Sequence, residues 1–483
     1  MPGNCFIEKY KKIPMRVRAS MWFFICSVLQ KMIAVVSTVV FTRVMTTGDY
    51  GLVSIYNSWA DILLIIASLN LSVGCFNVGM TRYEKNKEVW VSSLQILSLI
   101  SALIFVIVFL GSYKWWGDLI GLSFLLCVVM SVTFFFSPAI NLWTAKQRYT
   151  NSYRKLVIVT IGFSILNLVL PLILVLNSDH KGEAKIIASA IAIVLYGGFL
   201  LFSNLREARK KTLKIYNQSF SRFAIKYNLQ MMPAFLSTSF MSQIDRIMID
   251  RMIGRDEAAI YSVAYNVAFM ISIVSSAISA TYNPWMMQRV KNKNFTKMNE
   301  IGISISVSLL LIIEAFIFIA PEVIKIFAPA EYYEAIYIIP AVAGSTFFNL
   351  IYALYCPIAQ FKLKVIHLTL VNLLAGVLNV GLNYYAIGKW GYIAAGYTTF
   401  ISYLIYGSAT AALCISLLRK DGVYKLYNLR ILSTLIIILI ISTVVVPFLY
   451  KGIVLRYMLL IGVVICFVIK RNKILKLLKV LKE

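Results

Sequence analysis

The sequence predicts an all-helical, polytopic membrane protein of about fourteen spans, and three observations predict it. Hydrophobic residues fill 60% of the 483 positions and charged residues only 14%, against roughly 45–50% and about 25% in a soluble domain. The apolar residues gather into runs of about 20, the length an α-helix needs to cross ~30 Å of hydrocarbon. Lysine and arginine collect in every second loop between those runs, which is the positive-inside distribution.

In chain order the apolar windows fall at 19–41, 52–76, 90–111, 119–142, 156–177, 184–204 and 229–249. They continue at 259–282, 301–321, 335–357, 366–387, 391–417, 431–450 and 453–470. The first run is too long for a signal peptide and lacks a small-residue cleavage site, so it is read as a span. The loops are too short for an extramembrane domain. Placing the N-terminal tail, the loop after the sixth span and the C-terminal tail inside puts 35 of the 47 basic residues in the cytoplasm, with 10 outside and Lys31 and Arg246 in the membrane. Both termini are therefore expected in the cytoplasm. Beyond Lys470, Ile474, Leu477, Leu478 and Leu481 alternate with lysines, the pattern of a basic amphipathic helix on an anionic leaflet.

A weak internal repeat suggests the domain organisation. Thr42-Arg43-Val44-Met45 closes the first span, and Asp250-Arg251-Met252-Ile253 closes the seventh, 208 positions later. Ile165-Leu166-Asn167-Leu168 recurs 212 positions later as Val377-Leu378-Asn379-Val380. Two nearly equal offsets imply two pseudo-symmetric six-helix lobes, 1–215 and 216–425, with two extra helices and the basic tail over 426–483. Transporters are often built from such repeats, with the substrate path between them.

Several function classes are excluded. The net charge of +27 is scattered among the loops, not clustered on one folded face, so nucleic acid is not expected as a partner. Seven cysteines show no CxxC or Cys/His metal spacing. His180 and His367 are the only histidines. No metal or other cofactor is expected. A GxxxxGK[ST] loop is absent, so ATP does not drive the protein directly. An enzyme acting on lipid-linked sugars would carry a large outer loop, or acidic residues clustered at one membrane face, and neither is present. A transporter is expected, not an enzyme.

A charge inside a bilayer costs about 2.5–3.5 kcal/mol on insertion scales, so each needs a reason. The windows hold Lys31, Asp61, Asp245, Arg246 and Glu314, with Arg456 near enough to an end to snorkel. Ser54, Ser58, Ser68 and Ser72 share a face with Asp61. Ser239 and Ser242 align with Arg246, and Ser262, Asn266, Ser272, Ser276, Ser279 and Asn283 line the eighth span. Small polar stripes of this kind read better as helix–helix packing than as cavity lining. Lys31 and Arg246 read better as facing a hydrated cavity. Asp61 and Asp245 stand as counter-ions, ion-coupling groups or structural partners. Glu314 reads as facing protein or snorkelling.

The motifs resemble one family. Phe41-Thr42-Arg43-Val44-Met45-Thr46-Thr47-Gly48-Asp49-Tyr50-Gly51 resembles the joint after the first helix of Wzx-type oligosaccharide flippases. Gln243-Ile244-Asp245-Arg246-Ile247-Met248-Ile249, then Gly254 and Ala259-Ile260-Tyr261-Ser262-Val263-Ala264, resembles their seventh-to-eighth helix segment. Leu378-Asn379-Val380-Gly381-Leu382-Asn383-Tyr384-Tyr385 and Trp390-Gly391-Tyr392-Ile393-Ala394-Ala395-Gly396 resemble their eleventh and twelfth helices. Lys389 replaces a usual proline and Ala259 a usual glycine.

The resemblance covers nearly the whole chain and extends to the wider superfamily of multidrug extruders and the peptidoglycan lipid flippase. It implies alternating access and an undecaprenyl-diphosphate-linked oligosaccharide carried from the inner to the outer leaflet of a bacterial inner membrane. A polysaccharide polymerase and a chain-length regulator would be partners, besides membrane lipids. On this reading Lys31 and Arg246 meet the diphosphate. Arg43 and Arg251, at matching outer helix ends, either receive it or anchor at the interface. The alternative is a cation-coupled multidrug extruder, but such a protein usually carries an acid in its first helix, where this chain has Lys31. A scaffold for polysaccharide enzymes is a third reading.

Overall fold

The computed structural model describes residues 15–211, 215–292, 295–362, 365–420 and 426–480. Its helices begin with α1 (Met15–Val44), α2 (Thr47–Ala67), α3 (Phe76–Arg82), α4 (Lys87–Gly111), α5 (Tyr113–Ile120) and α6 (Phe124–Tyr149). There follow α7 (Tyr153–Leu176), α8 (Lys181–Lys211), α9 (Gln218–Met252), α10 (Arg255–Ala268), α11 (Ser272–Lys291) and α12 (Met298–Phe318). The last are α13 (Ala320–Phe327), α14 (Ile339–Phe361), α15 (Val365–Trp390), α16 (Ala394–Arg419), α17 (Leu429–Val445) and α18 (Ile453–Val480). No strand occurs among the described residues.

Thirteen helical segments among the described residues are long and apolar enough to cross a membrane. One of them joins α10 to the start of α11 through a 3-10 turn at Phe269–Ile271. The window at 229–249 lies inside α9, whose 35 residues reach about 52 Å at 1.5 Å per residue. Length suffices there, but Gln230, Gln243, Asp245 and Arg246 make the helix too polar to count among the thirteen. The run at 52–76 is shorter than its hydropathy suggests. Its helix stops at Ala67, where Leu69 and Asn70 take positive φ of 53° and 46°, a conformation unusual for leucine. Lys389 is the penultimate residue of α15, and Gly391 supplies the positive φ of 79° that turns the chain into α16.

The chain divides into two compact units, 1–37 with 56–236, and 38–55 with 237–483. The division runs through α1, α2 and α9. In the first unit, the turn after α2, the short α3 and the start of α9 form one core. α3 buries Phe76, Gly79 and Met80, the i, i+3, i+4 set of one helix face. Trp90, fully buried, lies 5.8 Å from Phe220 and 5.3 Å from Tyr83, and its Nε1 donates to the Phe76 carbonyl at 3.3 Å. A Cβ at Gly79 would stand 2.0 Å from that indole, so no side chain fits there. Asn228 ties α9 to the turn: Oδ1 accepts from the Cys75 N–H at 2.9 Å and Nδ2 donates to the Leu69 carbonyl at 2.7 Å.

The second unit is organised round α14, of which 83% is buried over its apolar window, against 6% for α18. A helix apolar on every side belongs in a core or in lipid, and these two take the opposite solutions. Glycines let α14 approach α16 closely, since a Cβ at Gly407 would meet the Phe348 carbonyl at 2.8 Å. The two C-terminal helices hold to α12 and α13 by polar contacts. Ser442 Oγ donates to Glu314 at 2.6 Å, and Tyr450 Oη to the Ile317 carbonyl at 3.0 Å. Arg456 forks onto Glu322 and is 3% exposed, so it pairs instead of snorkelling. α18 continues as helix to Val480, and the side chains of the expected amphipathic tail from 471 onward lie outside the described residues.

Asn228→Leu should lower the melting temperature of the detergent-solubilised protein. The change leaves the Cys75 N–H buried without an acceptor, a loss of about 1–3 kcal/mol. An unchanged melting curve would remove Asn228 as the tie between α9 and the turn.

Candidate functional site

Asp245 and Arg246 are neighbours on the half of α9 that belongs to the second unit. Asp245 is fully buried. Its Oδ1 accepts from Asn383 Nδ2 at 2.5 Å, and its Oδ2 from Tyr261 Oη at 2.5 Å and Thr399 Oγ1 at 2.6 Å. The donors come from α15, α10 and α16. A second ring supports the first: Asn379 Oδ1 accepts from Asn383 Nδ2 at 3.3 Å, Asn379 Nδ2 donates to Thr399 Oγ1 at 3.3 Å, and Thr398 Oγ1 donates to Asn383 Oδ1. Asn379 and Asn383 reach the same point because residues four apart share a helix face. A buried carboxylate must replace its water with such donors, and hydrogen bonds to an ionised group are the stronger kind.

Arg246 does not pair with its neighbour. Consecutive residues of a 3.6-residue helix point about 100° apart, so the guanidinium leaves the knot. Its Nη1 donates to the Ser242 carbonyl at 2.5 Å and to Gln243 Oε1 at 2.8 Å. Its carbon lies 4.3 Å from the centre of the Tyr265 ring, inside cation–π range. Among the described residues no carboxylate lies within ion-pair distance of the guanidinium.

The other sequence candidates divide between the units. Lys31, half-buried on α1, and Asp61, exposed on α2 one turn beyond the exposed Asn57, belong to the first. Arg43, Asp245, Arg246 and Arg251 belong to the second. Arg43 is committed to backbone: Nη1 donates to the Val39 carbonyl at 2.9 Å and Nη2 to the Ile326 carbonyl at 2.7 Å. Thr42 Oγ1 donates to the Phe327 carbonyl at 3.1 Å. The two side chains thus cap the C-terminal end of α13, where a cation also suits the helix dipole. Arg251 is exposed at the end of α9.

Many stripe serines return their hydroxyls to their own helices, as Ser276 does to the Ser272 carbonyl at 2.7 Å and Ser68 to the Leu64 carbonyl at 2.6 Å. Ser54 bonds Ser262, and Asn266 Nδ2 donates to Tyr50 Oη at 3.4 Å. The last two contacts join α2 to α10. Sequence reasoning did not single out Tyr261, Asn383 and Thr399 as partners of Asp245, Asn379 as the support behind them, nor Gln243 and Tyr265 as partners of Arg246. The usable signal was there, because all but Tyr265 and Thr399 stand inside the three motif segments.

A family model described as polysaccharide biosynthesis protein matches residues 17–290. No curated protein matches by sequence. Among solved structures, an inward-facing multidrug resistance MATE family transporter of the MOP superfamily is similar at TM-score 0.62 and 15% identity, covering 82% of this chain and 96% of that one. The lipid II flippase MurJ, in an inward closed conformation, is similar at TM-score 0.61 and 14% identity, covering 94% and 99%. An outward-facing MATE transporter follows at 0.54 and 16%, covering 84% and 96%. At such identities the likeness shows a shared fold.

The two neighbours on α9 should separate experimentally. Asp245→Ala strands two buried hydroxyls and an amide, each worth about 1–3 kcal/mol, and is expected to lower the melting temperature markedly. Arg246→Ala should change melting far less while abolishing transport. Equal melting losses would mean that both residues are structural.

Proposed function

The chain belongs to the polysaccharide biosynthesis protein family, and we propose that it flips undecaprenyl-diphosphate-linked oligosaccharide repeat units from the cytoplasmic to the outer leaflet by alternating access. The cargo would feed surface polysaccharide synthesis in a bacterial inner membrane, alongside a polymerase and a chain-length regulator. The carrying observation is Arg246, a guanidinium on α9, which is read as a span, with no carboxylate within ion-pair distance among the described residues. Lys31, midway along the first span, adds a second cation. Taking a bare diphosphate into hydrocarbon would cost tens of kcal/mol on ideal solvation estimates, so its path needs water and positive charge. The polyprenyl tail can stay in lipid throughout.

Arg246 and Lys31 are proposed to contact the diphosphate. Arg251, exposed at its helix end, is proposed to receive it, whereas the backbone bonds of Arg43 favour the anchoring role. Asp61 is exposed within a span, where a carboxylate is tolerable only beside water, and is proposed as the coupling or counter-ion group. Asp245 is proposed as the structural acid that sets the rotation of α9. The driving force is an ion or substrate gradient or the membrane potential, and the protein does no covalent chemistry. Both termini are proposed to lie in the cytoplasm, the orientation that would put 35 of the 47 basic residues on that side.

In proteoliposomes the protein should move a lipid-linked oligosaccharide across the bilayer without hydrolysing ATP. Lys31→Arg should retain more flipping than Lys31→Ala, and Lys31→Glu least, at equal protein levels. Normal flipping by Lys31→Ala would take the lysine out of the cargo path. Export of an organic-cation dye on a proton or sodium gradient, with the lipid-linked sugar left in place, would replace this reading with a multidrug extruder.

The orientation has its own test. A cysteine at Lys210, in a chain stripped of native cysteines, should resist an impermeant maleimide applied to intact cells. Labelling from outside would reverse the topology.

A further inference from the structure

Arg246 is held on two sides and makes no hydrogen bond on a third among the described residues. Nη1 is used by the Ser242 carbonyl and by Gln243 Oε1. One face of the guanidinium is covered by Tyr265, which is itself stacked on Phe269 at 5.7 Å and 18°. Nε and Nη2 make no hydrogen bond among the described residues, and the whole residue is only 6% exposed. The support has a common origin. Tyr261 and Tyr265 stand one turn apart on α10, the first bonded to Asp245 and the second lying against Arg246. The contact that fixes α9 therefore also sets the ring under the guanidinium.

We propose that Tyr265 and Gln243 are positioning residues, which together make Arg246 present only its Nε–Nη2 edge, a two-donor fork for a phosphoryl group of the cargo. This rests on the reading of Arg246 as a cargo contact. Two parallel N–H groups match two oxygens of one phosphoryl group, a match that a lysine ammonium makes only as a point charge. A sugar hydroxyl, with a single oxygen, does not use both donors. The arrangement therefore selects the diphosphate over the glycan, and sugar identity is left to other residues.

The test is equilibrium binding of farnesyl diphosphate to the full-length protein in lipid nanodiscs, with farnesol as the phosphate-free control. Arg246→Lys should weaken binding about tenfold, since the charge stays and the fork goes. Tyr265→Phe keeps the ring and should stay within about twofold, whereas Tyr265→Leu should lose about tenfold. In the Arg246→Lys background, Tyr265→Leu should add less than about twofold, because an ammonium has no plane to orient. Wild-type affinity in Tyr265→Leu overturns the proposal, as does an equal loss in both backgrounds, the sign of general damage. If Tyr265→Leu does not fold, Gln243→Leu decides: freeing Nη1 should weaken binding about threefold, and no change overturns the positioning. Wild-type binding by Arg246→Ala is a different result, which removes Arg246 from the cargo path altogether.

Discussion

A bilayer offers no hydrogen bonds, so a carboxylate in a span must find its donors in the protein. Asp245 finds them on three other helices, and much of the second unit is arranged by that requirement. Tyr261 sets α10, Asn383 sets α15 and Thr399 sets α16, each at 2.5–2.6 Å from the same carboxyl group. The knot costs desolvation and returns alignment. Four helices that would otherwise slide on apolar surfaces share one fixed point.

The charges in the spans receive different treatment. Asp245 is sealed, and Glu314 has its serine. Arg456, itself buried, pairs with a partly exposed Glu322. Arg246 keeps its charge, with an aromatic ring in place of an anion. A ring attracts a cation without neutralising it. The buried acid and the arginine are consecutive residues, so fixing one also fixes the direction of the other.

The sequence showed the helices and their all-α class because hydrophobic length is a local property. It showed Asp245 and Arg246 as exceptional because a charge stands out against an apolar run. Their surroundings were not legible in the same way. Asn383 and Thr399 lie 138 and 154 residues from Asp245, and neutral side chains in a span carry too little cost to announce a purpose. Arg43 read as an interfacial or cargo cation because its partners are backbone carbonyls of a short helix some 283 residues away, which no local pattern reveals. The end of α2 at Ala67 was hidden for the opposite reason: the following turn is apolar enough to imitate a longer span.

The distance along the chain between Asp245 and its donors also bears on how the protein is made. At about 5–20 residues per second, the 154 residues to Thr399 take about 8–30 s to synthesise. Through that interval α9 carries an acid and a base at membrane depth, each opposed by about 2.5–3.5 kcal/mol, while only Tyr261 is available to help. α9 is therefore expected to wait at the insertion machinery or at the membrane surface, and to take its final place when α15 and α16 arrive. Membrane integration of this helix is then a step of folding as well as a step of translation.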